Sequence, residues 1–142
     1  MTASATVYDD YAHHPSEIAA TLAAARTLEP RRLVAVFQPH LYSRTLALAR
    51  ELGTALAAAD AVVVLDVYPA REHAEDFPGT SGLGVAEAAA DAAGGRPVYW
   101  MPQRDAARAA VETLADAGDI VVVMGAGDID QLGRELVGAR DG

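Results

Sequence analysis

The chain has 142 residues, 51% of them hydrophobic, with 20 acids against 11 bases and a net charge of −9; this fits one domain with one core and excludes a general nucleic-acid surface, which needs a basic patch. Cysteine is absent, which removes disulfides and thiolate metal sites, and all 11 bases are arginine, which removes a P-loop lysine, a Schiff base and a lysine general base. No apolar run reaches the roughly 18 residues of a membrane span, and Met1-Thr2-Ala3-Ser4 lacks the basic and apolar regions of a signal peptide, so the expected setting is cytoplasmic, with no membrane and no nucleic-acid partner.

Residues 5–9 are expected to form a short strand. A helix follows from Pro15 to about Leu28, with Ile18, Leu22, Ala25 and Leu28 at helical spacing. Pro15 suits the first helical position, and Glu17 can reach back to the open N–H groups. Glu29-Pro30 ends this helix, because the residue before proline avoids helical dihedrals. Residues 32–38 are a nearly continuous apolar run, the mark of a strand covered on both faces. After a loop at Pro39-His40-Leu41-Tyr42, Ser43 is expected to cap a second helix marked by Leu46, Ala49, Leu52 and Leu56. Residues 61–67 read as a third strand, and residues 68–81 as the longest irregular stretch. Loops of that length in compact domains are mostly functional or disordered. Residues 85–93 form an alanine-rich helix closed by Gly94-Gly95. A fourth strand (97–101), a helix (104–117, with Ala107, Val111 and Leu114 on one face) and a fifth, most hydrophobic strand (119–124) follow. Gly125-Ala126-Gly127-Asp128 then opens a last helix to about Val137.

Strands alternating with helices imply an α/β fold: a three-layer, Rossmann-like domain with a mainly parallel sheet of about five or six strands and helices on both faces. In such sheets ligands bind beyond the carboxyl ends of the strands. The polar clusters gather there: residues 9–14 after strand one, 38–44 after strand two, 66–72 after strand three and 125–128 after strand five.

Each cluster has a functional and a plain structural use. Asp9 and Asp10 can accept hydrogen bonds from sugar hydroxyls or cap the helix. Tyr11 offers a flat apolar face with a polar tip, or is a rim tyrosine. His13, His14 and His40 are expected to cluster if strands one and two are neighbours. Three imidazoles suggest zinc, but no acidic ligand accompanies them, and orienting a carboxylate or amine is the better use. Arg44, in the first turn of helix two, is poorly placed against the helix dipole unless an anion joins it. Arg71 and Glu72 are expected to pair with each other on the long loop, at little energy, in preference to the other use open to them, contact with a ligand. Gly125 and Gly127 allow close approach of a partner domain or phosphate, or make only a tight turn; the run resembles half of a dinucleotide fingerprint but closes the last βα unit and lacks a third glycine in register.

Asp9-Asp-Tyr-Ala-His-His-Pro-Ser-Glu-Ile18, Phe37-Gln-Pro-His-Leu-Tyr-Ser-Arg-Thr45, Asp66-Val-Tyr-Pro-Ala-Arg-Glu72 and Gly125-Ala-Gly-Asp-Ile129 occur in this order. Together they resemble the C-terminal domain of the UDP-N-acetylmuramate–L-alanine ligases of the Mur ligase family, and Pro78-Gly-Thr-Ser-Gly82 is compatible with that family's long loop. The resemblance implies an enzyme of bacterial peptidoglycan synthesis that joins L-alanine to UDP-N-acetylmuramate, using ATP and Mg2+ through an acyl phosphate. It implies that residues 1–142 are the single closing, amino-acid-binding domain, whose partners are an N-terminal UDP-sugar domain and a central ATPase domain. By itself the chain is expected to be inactive, with no catalytic residue of its own and no tightly bound metal. Carried over by position, Asp10 would contact the ATP ribose and Tyr11 would lie near the nucleotide. His13 and His40 would line the alanine pocket, and Arg44 would steer the alanine carboxylate. Asp9, His14, Tyr42, Arg71, Gly125 and Gly127 would support them. The family frequently has an arginine where this chain has Leu41, so one basic contact to the amino acid is missing here or supplied elsewhere. Two alternatives remain from the residues themselves: a stand-alone nucleotide- or phosphate-binding module of flavodoxin-like shape, and a metal-dependent hydrolase built on His13, His14 and His40.

Overall fold

A computed structural model describes residues 5–141; the expectation drawn from Met1-Thr2-Ala3-Ser4 lies outside them. Five strands alternate with five helices: β1 (Thr6–Asp10), α1 (Pro15–Arg26), β2 (Leu33–Phe37), α2 (Tyr42–Leu56), β3 (Ala61–Val64), α3 (Leu83–Ala93), β4 (Val98–Trp100), α4 (Arg104–Leu114), β5 (Ile120–Met124) and α5 (Asp130–Asp141). A 3₁₀ turn, Ala74–Asp76, interrupts the long loop after β3. The sheet is wholly parallel, in the order β1-β5-β2-β3-β4.

The apolar runs explain the middle of the sheet. β2, β3 and β5 are buried at every position, as a strand with helices on both faces must be. One layer of core lies under α1, α2 and α3, where Ile18, Leu22, Leu52, Leu56 and Val85 meet Leu33, Phe37, Val64 and Met124. The other lies under α4 and α5, where Ala107, Val111, Ile129, Leu132 and Leu136 meet Val34, Val36, Val63 and Val123. Ile18 and Leu22 are completely buried, each contributing roughly 1.5–3 kcal/mol by leaving water.

Five sequence expectations shift. Helix α1 stops at Arg26, and Leu28 is 56% exposed rather than part of the buried stripe. Ser43 is not a cap: Leu41 occupies that position with φ 71°, and Ser43 lies inside α2. The third strand ends at Val64, three residues early, as the chain turns to meet the β4 end through the Asp66 N–H and the Pro102 carbonyl, 3.3 Å apart. Helix α4 ends at Leu114 because the Asp119 carboxylate takes the Asp116 N–H at 2.8 Å and Gly118 turns the chain at φ 87°. Helix α5 begins at Asp130, so residues 125–128 form a loop ahead of it.

Candidate functional site

The strand order decides where a ligand can enter. Helix α5 leaves β5 toward one face, while α1 and α2 leave the flanking β1 and β2 toward the other. The loops therefore part on both sides of β5, opening a crevice at the carboxyl ends. β5 also separates β1 from β2, so these two are not neighbours as expected. His13 and His40 nevertheless meet, reaching across the β5 end from opposite sides, with ring centroids 6.1 Å apart.

At the β1 end, Asp10 accepts the Ala12 N–H on Oδ1 at 2.8 Å, a local turn rather than a helix cap. The cap is Glu17, whose Oε1 accepts the N–H groups of His13 and His14, each at 3.1 Å. These two bonds hold the Glu17 carboxyl below its usual range. Asp9 turns to the other face, against the backbone of Gly133 in α5. Burial and the nearby Asp130 push its carboxyl up, opposed by Arg134. An open cleft of about 230 Å3 runs between β1 and β5, lined by Asp9, Asp10, Tyr11, Gly125, Asp130 and Arg134. Tyr11 stands 73% exposed on its rim. The Tyr11 carbonyl accepts a bond from His13 Nδ1 at 2.8 Å. A carbonyl only accepts, so the proton of a neutral His13 sits on Nδ1 and its lone pair on Nε2. His14 lies against His13, with ring centroids 5.2 Å apart.

At the β2 end, the loops after β2 and β3 are joined. The Leu41 N–H donates to the Tyr68 carbonyl at 3.0 Å, and the Tyr68 N–H to the Pro39 carbonyl at 2.8 Å. The Tyr68 ring stacks on His40, with centroids 6.0 Å apart and planes 14° apart. Glu72 makes the second junction: its carboxylate accepts the Ser43 N–H at 3.0 Å and the Ser43 hydroxyl at 2.6 Å. It thus caps α2 from a distant loop, and the Ser43 hydroxyl bond is the main reason its carboxyl lies below the usual range. The expected close Arg71–Glu72 ion pair does not form: the Glu72 carboxylate is turned to Ser43, although the Arg71 charge still helps to lower its pKa, and Arg71 is exposed. Tyr42 turns away from the histidines and stacks on Phe77, centroids 6.0 Å apart.

Arg44 points its Nη1 at His40 Nδ1 across 3.4 Å. A guanidinium only donates, so the His40 Nδ1 carries a lone pair and Nε2 the proton. Burial and the charge of Arg44, then His13 and Arg71, lower the His40 pKa, with Glu72 opposing. His40 is accordingly a neutral imidazole at pH 7. A cation between these rings would face Arg44 directly, and among the described residues no three His, Asp or Glu side chains converge as metal ligands.

Gly125 and Gly127 serve internal packing. A Cβ on Gly125 would lie 3.1 Å from the Gln38 carbonyl oxygen, and one on Gly127 would lie 2.5 Å from the Tyr68 ring. Gln38 holds the same loop, donating from Nε2 to Asp128 Oδ1 at 3.3 Å. Tyr68 is thus wedged between His40 and Gly127, a place the residue-type reading missed. No local signal marked it, because Gly127 and His40 come to Tyr68 from other loops of the chain.

This fold and these motifs have known counterparts. The family model described as the Mur ligase, glutamate ligase domain matches residues 1–127. The chain belongs to the Mur ligase family. As a Mur ligase domain it is 54% identical, over 141 residues, to a UDP-N-acetylmuramate–L-alanine ligase from Chlorobium luteolum, covering 96% of this chain and 30% of that protein. It superposes on the UDP-N-acetylmuramate–alanine ligase of Thermotoga maritima with a TM-score of 0.69 and 25% identity, over 95% of this chain and 27% of that one. It also matches a domain from Haemophilus ducreyi described as belonging to a UDP-N-acetylmuramate:L-alanyl-gamma-D-glutamyl-diaminopimelate ligase, with a TM-score of 0.69, 26% identity, and 98% and 94% of the two chains covered. That last structure is of a domain alone, so a fold of this kind stands by itself there. The chain spans about 30% of the length of the Chlorobium relative.

Proposed function

We propose that residues 1–142 are the C-terminal, closing domain of an ATP-dependent ligase that joins L-alanine to UDP-N-acetylmuramate in the cytoplasm, for bacterial peptidoglycan synthesis. The observation that carries this reading is the convergence of His13, His40 and Arg44 next to the Asp10–Tyr11 cleft, joined through the bond from His13 to the Tyr11 carbonyl. In this reading the N-terminal and central domains of the same enzyme hold the UDP-sugar and the phosphates.

The residues present fit a nucleoside at the cleft. Asp10 keeps one carboxylate oxygen beyond its turn bond to accept ribose hydroxyls, and the exposed Tyr11 ring offers a face beside it. Mg2+ takes one or two carboxylates together with substrate phosphates and waters, so in this reading it lies with the phosphates held by the other domains. ATP, when bound, supplies the phosphoryl group that activates the sugar carboxylate. The work of this domain is to deliver the amine. Arg44 grips the alanine carboxylate through the part of its fork not turned to His40. The lone pair on His13 Nε2 accepts from the alanine amine and orients it. Closure of the domain brings this assembly to the activated carboxylate and excludes water.

The testing experiment is product formation by the full-length ligase containing this chain, with L-alanine, ATP and UDP-N-acetylmuramate. Alanine-dependent release of phosphate and formation of the UDP-sugar–alanine conjugate is the expected result. Stoichiometric zinc in the purified chain, lost in His13→Ala or His40→Ala, would instead favour the metal-dependent hydrolase.

A further inference from the structure

We propose that Arg71, on the loop after β3, is a second cation of the amino-acid site and binds the substrate carboxylate together with Arg44; this rests on reading the site as an alanine site. The chain carries 20 acids against 11 arginines, so its arginines have partners to spare. Arg26, Arg31, Arg32, Arg50, Arg104, Arg108 and Arg134 each meet a carboxylate, and Arg96 donates to the carbonyls of Ala93 and Ala57. Among the arginines whose side chains are described, only Arg44 and Arg71 meet neither a carboxylate nor a backbone carbonyl. Arg44 lies in the first turn of α2, just past His40, and Arg71 lies on the loop after β3 whose Tyr68 stacks on His40.

The acids nearest these arginines are already engaged. Glu72 follows Arg71 in sequence, but both its oxygens go to Ser43. Glu17 closes the start of α1. Leu41, between His40 and Tyr42, is buried and brings no charge. Arg71 feels the Glu72 charge but makes no close ion pair with it, and Arg44 makes none either; two cations left without a direct carboxylate partner beside one histidine are a site for an anion from outside.

The loop that carries Arg71 is also held in place. Tyr68 bonds through its backbone on both sides of His40 and stacks on that ring. Glu72 fixes the other end at Ser43. Between them, the Glu72 N–H closes a turn onto the Pro69 carbonyl at 2.9 Å, and Ala70 adopts φ 54°. Leu41, on the facing loop, has φ 71°. Left-handed dihedrals at two residues that are not glycine cost energy and persist where the surroundings impose them. The turn thus presents the residue after Ala70 beside the His40 loop. The lowering of the His40 pKa by the Arg71 charge agrees with that placement. A carboxylate has two oxygens with about four lone-pair positions, enough for one guanidinium on each side.

Two measurements test this. In the full-length ligase, Arg71→Ala should raise KM for L-alanine roughly ten- to hundredfold, the range for losing one hydrogen bond to a charged group. KM for ATP and for the UDP-sugar should stay within about twofold, and Arg71→Lys should recover part of the loss. In the 142-residue chain, Arg71→Ala should move the His40 imidazole titration upward, followed by NMR, because a neighbouring cation has gone. An unmoved His40 titration would place Arg71 away from this site and overturn the proposal whatever the enzyme does. Normal ligation of alanine with an unchanged KM in Arg71→Ala would remove Arg71 while sparing the proposed function. A wild-type enzyme that does not use alanine would remove both.

Discussion

Gly127→Ala isolates the wedge that holds His40. The added methyl would lie 2.5 Å from Tyr68 Cγ, 2.7 Å from Cδ2 and 2.8 Å from Cδ1, whereas ordinary carbon contacts need about 3.5–4.0 Å. The ring must retreat by roughly an ångström. Its backbone cannot follow freely, being bonded to Pro39 and Leu41, and the ring is also stacked on His40. Gly127 does not have a left-handed φ, so the substitution acts through this contact rather than through the backbone. Overpacking of this kind costs about 1–3 kcal/mol. Urea unfolding of the chain should show a lower midpoint with an unchanged m-value, and the His40 ring resonances should move. In a Tyr68→Ala background the same substitution should cost almost nothing, because the clash has no partner. An equal loss in both backgrounds, or an unaltered His40 spectrum in Gly127→Ala, would refute the wedge.

The buried Asp119 carboxylate joins the start of β5 to Arg32 at 3.0 Å and to the Asp116 N–H at 2.8 Å. Burial pushes its carboxyl up, but those bonds and the charges of Arg32 and Arg31 outweigh it and hold the pKa below 3.8. That stability is present above about pH 4 and is lost as pH falls through the lowered value. Asp119→Asn should therefore cost roughly 1–3 kcal/mol near neutrality and give a shallower loss of stability in acid, measured by urea unfolding from pH 7 to pH 3. Glu72→Ala should free the Ser43 N–H, seen as faster amide exchange there, with slower or unchanged exchange counting against the cap. The isolated 142-residue chain should neither hydrolyse ATP nor ligate alanine, since it has no lysine for a P-loop; ATP turnover above a buffer blank would contradict this.

The fold was legible where burial leaves a local mark. β2, β3 and β5 are covered on both faces, and their unbroken apolar runs show it. The spacing of Ile18, Leu22 and Ala25 marks the buried stripe of α1 in the same way. The strand order was not legible, because the insertion of β5 between β1 and β2 depends on pairings more than eighty residues apart. The start of α2 was misplaced for a related reason: its capping carboxylate, Glu72, comes from another loop, and no local pattern reveals that. At the site, the sequence pattern named the histidines and Arg44, and the structure brings them together. It overlooked Tyr68, whose importance lies in its contacts with His40 and Gly127, both from other loops. It also paired Arg71 with the neighbouring Glu72, because adjacency in sequence said nothing about Ser43.

In the proposed function, this domain presents alanine with one set of residues and touches the nucleotide with another. Steady-state kinetics of the full-length ligase, comparing Arg44→Ala with Asp10→Asn, separate the two roles. Arg44→Ala should raise KM for L-alanine by roughly ten- to hundredfold or more, the loss of a charged contact in a site that closes against water, with UDP-sugar binding nearly intact. Asp10→Asn should weaken the use of ATP and leave alanine almost unaffected. Unchanged alanine kinetics in Arg44→Ala, together with a loss of ATP affinity, would contradict the claim by showing that the two loops have the opposite roles.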